Sequence, residues 1–248
     1  MKKLFTLLLL TLLIPTAIYA DNHSPQQIAD SWVMIVKSGH ESKFQDAMKA
    51  HLAYRKANGE KRTWDTYTPV TGENLNQYIV RTCCNTWAEQ DAHVADAAKY
   101  SEHFNKNVHP HVKKYTHNLT VIDMENSNWP EDTDASFVGV TSYKPIVGKG
   151  GARGESLKAM SAMAKEKGWP RNWAWTYPVG GDGSWTLVTP FENYADMAPM
   201  EESFYDFTKK HMGSAEKADA LFQKFSSSFS ETHYAIYRHN KELSTLKD

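Results

Sequence analysis

Residues 62–70 read Arg-Thr-Trp-Asp-Thr-Tyr-Thr-Pro-Val, and residues 171–179 read Arg-Asn-Trp-Ala-Trp-Thr-Tyr-Pro-Val. Arg62, Trp64, Pro69 and Val70 fall on Arg171, Trp173, Pro178 and Val179 at one constant offset. Upstream, Lys49-Ala50 and Gly59 fall on Lys158-Ala159 and Gly168. A glycine follows each copy, Gly72 and Gly181, and the match then resumes with two residues fewer. Tyr78 to Thr82 lies on Trp185 to Thr189, and Trp87-Ala-Glu89 on Tyr194-Ala-Asp196. The chain is an internal duplication, and a repeat of this period fixes architecture before any single motif does.

Outside the duplication, Lys2 and Lys3 precede a nearly unbroken apolar run, Leu4 to Leu13, and Ala17-Ile-Tyr-Ala20 supplies small residues before Asp21. That pattern is a secretory signal peptide over residues 1–20, so the protein is expected to be periplasmic or secreted. No later run is apolar enough to cross a bilayer, so no membrane span is expected after cleavage. With 28 Lys and Arg against 29 Asp and Glu, and no basic block, nucleic acid is not an expected partner. The two cysteines are adjacent, Cys83-Cys84, and neighbours can join only through an eight-membered ring. They read as two small apolar side chains at a strand end, with a vicinal or intermolecular disulfide as the alternative.

Each half parses as strand, helix, strand, strand, helix, strand. Trp32 to Val36 is a compact apolar run. Phe44, Met48, His51, Leu52 and Arg55 share a helical face that Gly59 ends. Strands follow at Thr63 to Thr68 and Tyr78 to Cys83, then a helical region from Glu89 to Tyr115 broken near Pro110, and a strand at Leu119 to Asp123. The second half repeats the order. Strands are expected at Phe137 to Thr141, Asn172 to Tyr177, Trp185 to Thr189 and His233 to Tyr237. Helices are expected at Glu155 to Lys167 and Met200 to Phe229, the latter interrupted at Gly213. A polar segment, residues 126–134, joins the repeats, which span 30–126 and 135–243.

A βαββαβ unit is the ferredoxin-like motif, a four-stranded antiparallel sheet with both helices on one face. The other face needs a partner, and the sister repeat is the nearest one. The fold class is therefore α+β, two tandem ferredoxin-like repeats packed sheet to sheet as an α/β barrel. In element order and duplication, residues 30–243 resemble the dimeric α/β-barrel superfamily in its fused, tandem form. Its members include antibiotic-biosynthesis monooxygenase-like proteins, NIPSNAP-like proteins, and the haem-binding chlorite dismutase and dye-decolorising peroxidase groups. The resemblance implies a barrel and allows haem as a cofactor. It carries no catalytic residue over, because no subfamily signature is present, and such a fold hosts enzymes and binders alike.

The residues that invite a functional reading are those that differ between the copies. Trp173, Trp175 and Tyr177 alternate on one sheet face, opposite Trp64, Thr66 and Thr68 of the first copy. They read either as the aromatic wall of a cavity between the sheets or as ordinary core. Arg81 occupies a central strand where the second copy has Val188, so it lines a site or reaches solvent along its stem. His51 stands where the second copy has Met160, as a core-edge histidine or a ligand. His93, His103, His109, His111 and His117 crowd one region, but His109-Pro-His111 alone is weak evidence for metal, and none is expected. Nucleophile-elbow, phosphate-loop, Cys-x-x-Cys and zincin motifs are missing. Three readings remain open. The first is an exported monomer or homodimer binding a small apolar or aromatic ligand between its halves, through Trp64, Arg81, Trp173, Trp175, Tyr177 and His51. The second is a cofactor-light monooxygenase or haem-dependent oxidoreductase. The third is an interaction module with a filled barrel.

Overall fold

The computed structural model describes residues 26–130, 133, 135–181 and 183–245. The leader expected at residues 1–20 lies outside the described residues. The first repeat comprises β1 (Ile28–Val36), α1 (Glu41–Ala57), β2 (Asp65–Pro69), β3 (Gln77–Asn85), α2 (Trp87–Asp96), α3 (Ala98–Asn107) and β4 (Val112–Ile122). The second comprises β5 (Phe137–Pro145), α4 (Gly150–Lys167), β6 (Ala174–Gly180), β7 (Trp185–Phe191), α5 (Phe204–Met212), α6 (Ala215–Ser226) and β8 (Phe229–His239).

Local chemistry explains most boundaries. Gly59 and Gly168 end α1 and α4 at matched positions with φ of 87° and 74°, a conformation that glycine adopts without a Cβ penalty. Thr86 and Glu89 form a capping box that starts α2. Gly213, left-handed at φ 64°, separates α5 from α6, each capped by a serine, Ser203 and Ser214. Two expectations need correcting. Helix α4 begins within the glycine-rich segment, at Gly150, rather than at Glu155. Strand β4 begins at Val112, directly after a short 3₁₀ turn at His109–His111, so the histidine-rich segment is partly strand. Pairing with β1 over nearly its whole length overrides the weak local signal there.

All eight strands close into one antiparallel barrel in the order β1-β3-β2-β8-β5-β7-β6-β4. Each repeat contributes the order β4-β1-β3-β2 or β8-β5-β7-β6, and the seams are β2–β8 and β4–β6. Strand alternation separates two environments. Met34, Val36, Tyr78 and Val80 point outward and pack with Phe44, Met48 and Leu52 of α1. Val33, Ile35, Ile79 and Arg81 point into the bore.

The aromatic strand falls on the other side from the one expected of a cavity wall. Trp173 and Trp175 are buried with Leu157, Met160 and Ala164 of α4 and with Phe225 and Phe229. Tyr177 shares their face and lies against Trp185, with ring centroids 5.5 Å apart. Trp64 is likewise in the core beneath α1. Alternation does group these rings on one face, and that is the face α4 and α6 cover, where burial removes their apolar area from water. Trp175→Ala is therefore expected to cost about 3–5 kcal/mol, read as a lower urea midpoint with unchanged slope. A loss below about 1 kcal/mol would contradict the placement.

Candidate functional site

In the first repeat, a cavity of about 450 Å³ opens between the sheet and α2–α3, lined by Glu60, Arg62, Thr82, Cys83, His93 and Tyr100 among others. That volume suits a small ligand. Cys83 and Cys84 are joined as a vicinal disulfide at its edge, so the alternative reading of the cysteine pair holds.

Arg62 anchors the wall. Its Nη2 donates to the Glu89 carbonyl at 2.8 Å, and its backbone N–H donates to Glu60 Oε1 at 3.0 Å. Arg55 of α1 pairs with Glu60 and lies over the Trp64 and Tyr100 rings, 4.9 and 4.4 Å from their centroids. Burial pushes Glu60 up, but the Arg62 N–H, Arg55 and His93 outweigh it and hold the carboxyl below its ordinary value. Burial and then Arg62 lower His93, against the opposing pull of Glu60, which keeps its imidazole neutral at physiological pH. Behind the wall, buried Asp30 accepts from Gln90 Nε2 at 3.0 Å and lies 2.9 Å from His117 Nε2. His117 stacks on Trp32, with centroids 4.2 Å apart.

This cluster is incompletely satisfied. Arg62 Nη1, Arg55 Nε, Trp64 Nε1 and Gln90 Oε1 are shielded from water and have no hydrogen-bond partner; among the described residues only Arg153 has similar atoms. Native proteins rarely leave such groups unpaired. The second repeat shows what a filled version looks like. There Arg171 makes the matching contact, to the Asp196 carbonyl at 2.6 Å, and Trp173 Nε1 donates to the Asn126 carbonyl at 2.6 Å. The carbonyl that corresponds to Asn126 for Trp64 belongs to Leu243, and the Thr66 hydroxyl takes it at 2.5 Å. The second copy carries Trp175 in place of Thr66, so no hydroxyl competes. Around these anchors, Asp30, Arg55, Glu60, Gln90 and His93 match Gly139, Ala164, Trp169, Met197 and Met200. His117 matches Tyr234, because their strand partners Trp32 and Thr141 match. Repeat 2 instead packs Trp169, Phe204, Phe222 and Phe225 into this space.

Of the residues singled out from sequence, Cys83 and His93 line this cavity, and Trp64 adjoins it with its ring 5.8 Å from that of His93. Trp173, Trp175 and Tyr177 belong to the other repeat's core, which corrects the idea that they gather around one ligand. Arg81 faces the bore, on the opposite side of the sheet. Burial lowers its guanidinium below the ordinary value, opposed by Tyr67 and Asp65. His51 is 2% exposed and is hydrogen-bonded to His103 across 3.2 Å between their Nδ1 atoms. His109 turns to Tyr115 and His111 to His40, so the His-x-His pair does not converge. Asp30, Arg55, Glu60 and Gln90 carry no functional signal of their own in the sequence, and His93 and His117 stand out there only as members of the histidine-rich region, although each of the six stands opposite an apolar or small residue or Tyr234, the same test that singles out Arg81.

Among the described residues no group of three or more His, Cys, Asp or Glu side chains could hold a metal ion. Haem needs a flat apolar slot with an axial donor at its centre. The helix-side space of repeat 2 is packed with aromatic rings, and that of repeat 1 is lined by Glu60, Lys61, Arg62, Glu89 and Asp96. Neither fits haem, and no chemistry here is routed through it.

No family model matches the sequence, and no curated protein matches it. Solved structures do. A candidate monooxygenase from Lactobacillus acidophilus NCFM superposes with a TM-score of 0.54 at 8% identity, covering 86% of this chain and 94% of that one. A candidate monooxygenase from Fusobacterium nucleatum gives 0.54 at 14% identity, covering 88% and 94%. A chlorite dismutase variant from Candidatus Nitrospira defluvii gives 0.53 at 9% identity, covering 87% and 92%. The chain has the dimeric α/β-barrel, ferredoxin-like fold that these proteins share. At such identities the likeness extends to the fold alone.

His51 gives a pH test. Burial, Arg55 and His103 push it down to about 4 from an ordinary 6.5. The unfolded chain therefore binds the extra proton first. Stability is full above pH 6.5 and declines as pH falls toward 4, by up to about 3 kcal/mol. His51→Met, which installs the residue found at position 160, is expected to flatten that part of the profile. An unchanged acid limb in the variant would contradict the buried neutral imidazole.

Proposed function

We propose that this is an exported binding protein that takes one small, oxygen-bearing molecule into the helix-side cavity of its first repeat. The observation that carries the reading is the set of shielded, unpaired atoms on Arg55, Arg62, Trp64 and Gln90. Three are donors and one is an acceptor, so the ligand offers oxygens to the arginines and the indole and a hydroxyl or amine to the Gln90 carbonyl. Because these atoms are shielded in this state, the ligand moves Arg62 or His93 aside to reach them. This shifts the site from between the sheets to the outer face of one sheet, and the expected ligand from apolar to polar. Export rests on the leader-like sequence of residues 1–20.

A catalytic reading has one observation in its favour. His93 lines the cavity as a neutral imidazole beside Glu60 and Arg62, as a base for abstracting a proton from an enol or phenol requires. The fold of the candidate monooxygenases accommodates such chemistry, and the bound molecule would then be a substrate.

Native mass spectrometry of the protein purified from its own host tests the binding reading. A stoichiometric small molecule is expected on the wild type. His93→Met, which copies position 200, should lose it at least tenfold while the melting temperature holds within a few degrees. Equal retention by the variant, or no adduct on either protein, would count against the site.

A further inference from the structure

The bore of the barrel carries a second asymmetry, independent of the helix-side cavity. At the β2–β8 seam the inward positions hold Asp65, Tyr67, Arg81 and His239. At the equivalent β4–β6 seam they hold Ala174, Thr176, Val188 and Ile122. Both seams close with backbone pairing, so the fold does not need the charged set. Asp65 lies directly across from Arg81, and its Oδ1 is also 3.2 Å from His239 Nε2. A single carboxylate across the strand pair cannot occupy the five N–H donors of a guanidinium.

The surroundings leave room. Ser31, Val33, Ile35, Ile79 and Arg81 are half-buried, whereas their outward neighbours Met34, Val36, Tyr78, Val80 and Thr82 are buried. Water therefore reaches the inward side chains. An eight-stranded barrel is just wide enough to be filled by side chains or to hold one small ligand. Ala174, Ser142 and Thr186 are short side chains on the inward face.

We infer that the bore contains an anion site for a small carboxylate, held by Arg81 and positioned by Asp65 and His239. A planar carboxylate accepts two parallel N–H bonds from the fork of the guanidinium, in a setting poorer in competing water than the surface. Asp65 orients the fork, and His239 holds Asp65 from the far strand of the seam. The site lies on the opposite face of the sheet from Arg62 and His93, so the two can be tested apart.

Benzoate is the probe, and the side-chain Nε–H resonance of Arg81 is the readout, assigned by its loss in Arg81→Val. Position 188 shows that valine suits this place in the fold, and Arg81→Gln serves as a second variant. In the wild type a saturable shift is expected with a dissociation constant in the low millimolar range or tighter, at or stronger than about 4 kcal/mol. Calorimetric binding should fall at least tenfold in both variants. No saturation of the Arg81 resonance by about 10 mM, or equal benzoate binding by the variants, would overturn the site. A marked fall in melting temperature of both variants, without saturable binding to wild type, would make the cluster a seam clamp only.

Discussion

Everything in this molecule depends on the satisfaction of four sheet edges. A four-stranded sheet in the order β4-β1-β3-β2 has one open row of backbone groups at each side, and either row left bare would invite aggregation. Each repeat closes both rows of the other. The same devices serve both seams. Asp123 N–H donates to the Trp175 carbonyl at 2.9 Å, and Asn240 N–H to the Thr66 carbonyl at 2.7 Å. Ser127 Oγ accepts from Trp175 N–H and Ser244 Oγ from Thr66 N–H, at 2.8 and 2.9 Å. Leu243, 1% exposed, carries the end of the second repeat into the core of the first. Neither half is complete without its sister.

Because the seams are satisfied symmetrically, the faces are free to differ. The helix-side space of repeat 2 is closed by aromatic rings and its indole N–H is spoken for. In repeat 1 a threonine at position 66 occupies the carbonyl that would have served Trp64, and charged or polar side chains replace the rings. Unpaired donors inside a protein are normally destabilising, by about 1–3 kcal/mol each. A duplicated scaffold tolerates them where the other copy supplies a well-packed anchor. The bore repeats the pattern on a smaller scale, with one seam charged and the other apolar.

The duplication, the element order and the antiparallel α/β architecture were legible because glycine positions and hydrophobic periods report backbone demands directly. Gly59, Gly168 and Gly213 each mark a helix end that the structure places at that residue. What the sequence could not convey was which face of each strand the helices would cover. Alternation groups Trp173, Trp175 and Tyr177 on one face but is silent on whether that face looks into the bore or onto α4. The polar cavity was hidden for a related reason. Asp30, Gln90, His93 and His117 come from three elements, β1, α2 and β4, and no local spacing links the three. Comparing the repeats position by position would have exposed them, as it did Arg81 and His51.

The most direct test of this account is the electron density of crystals grown from protein purified from its own host, without added ligand. The account predicts discrete non-protein density in repeat 1 against Arg62, His93 and Trp64 Nε1, and none between the sheet and helices of repeat 2. A repeat 1 cavity holding solvent alone, with Trp64 Nε1 hydrogen-bonded to a protein atom, would contradict it.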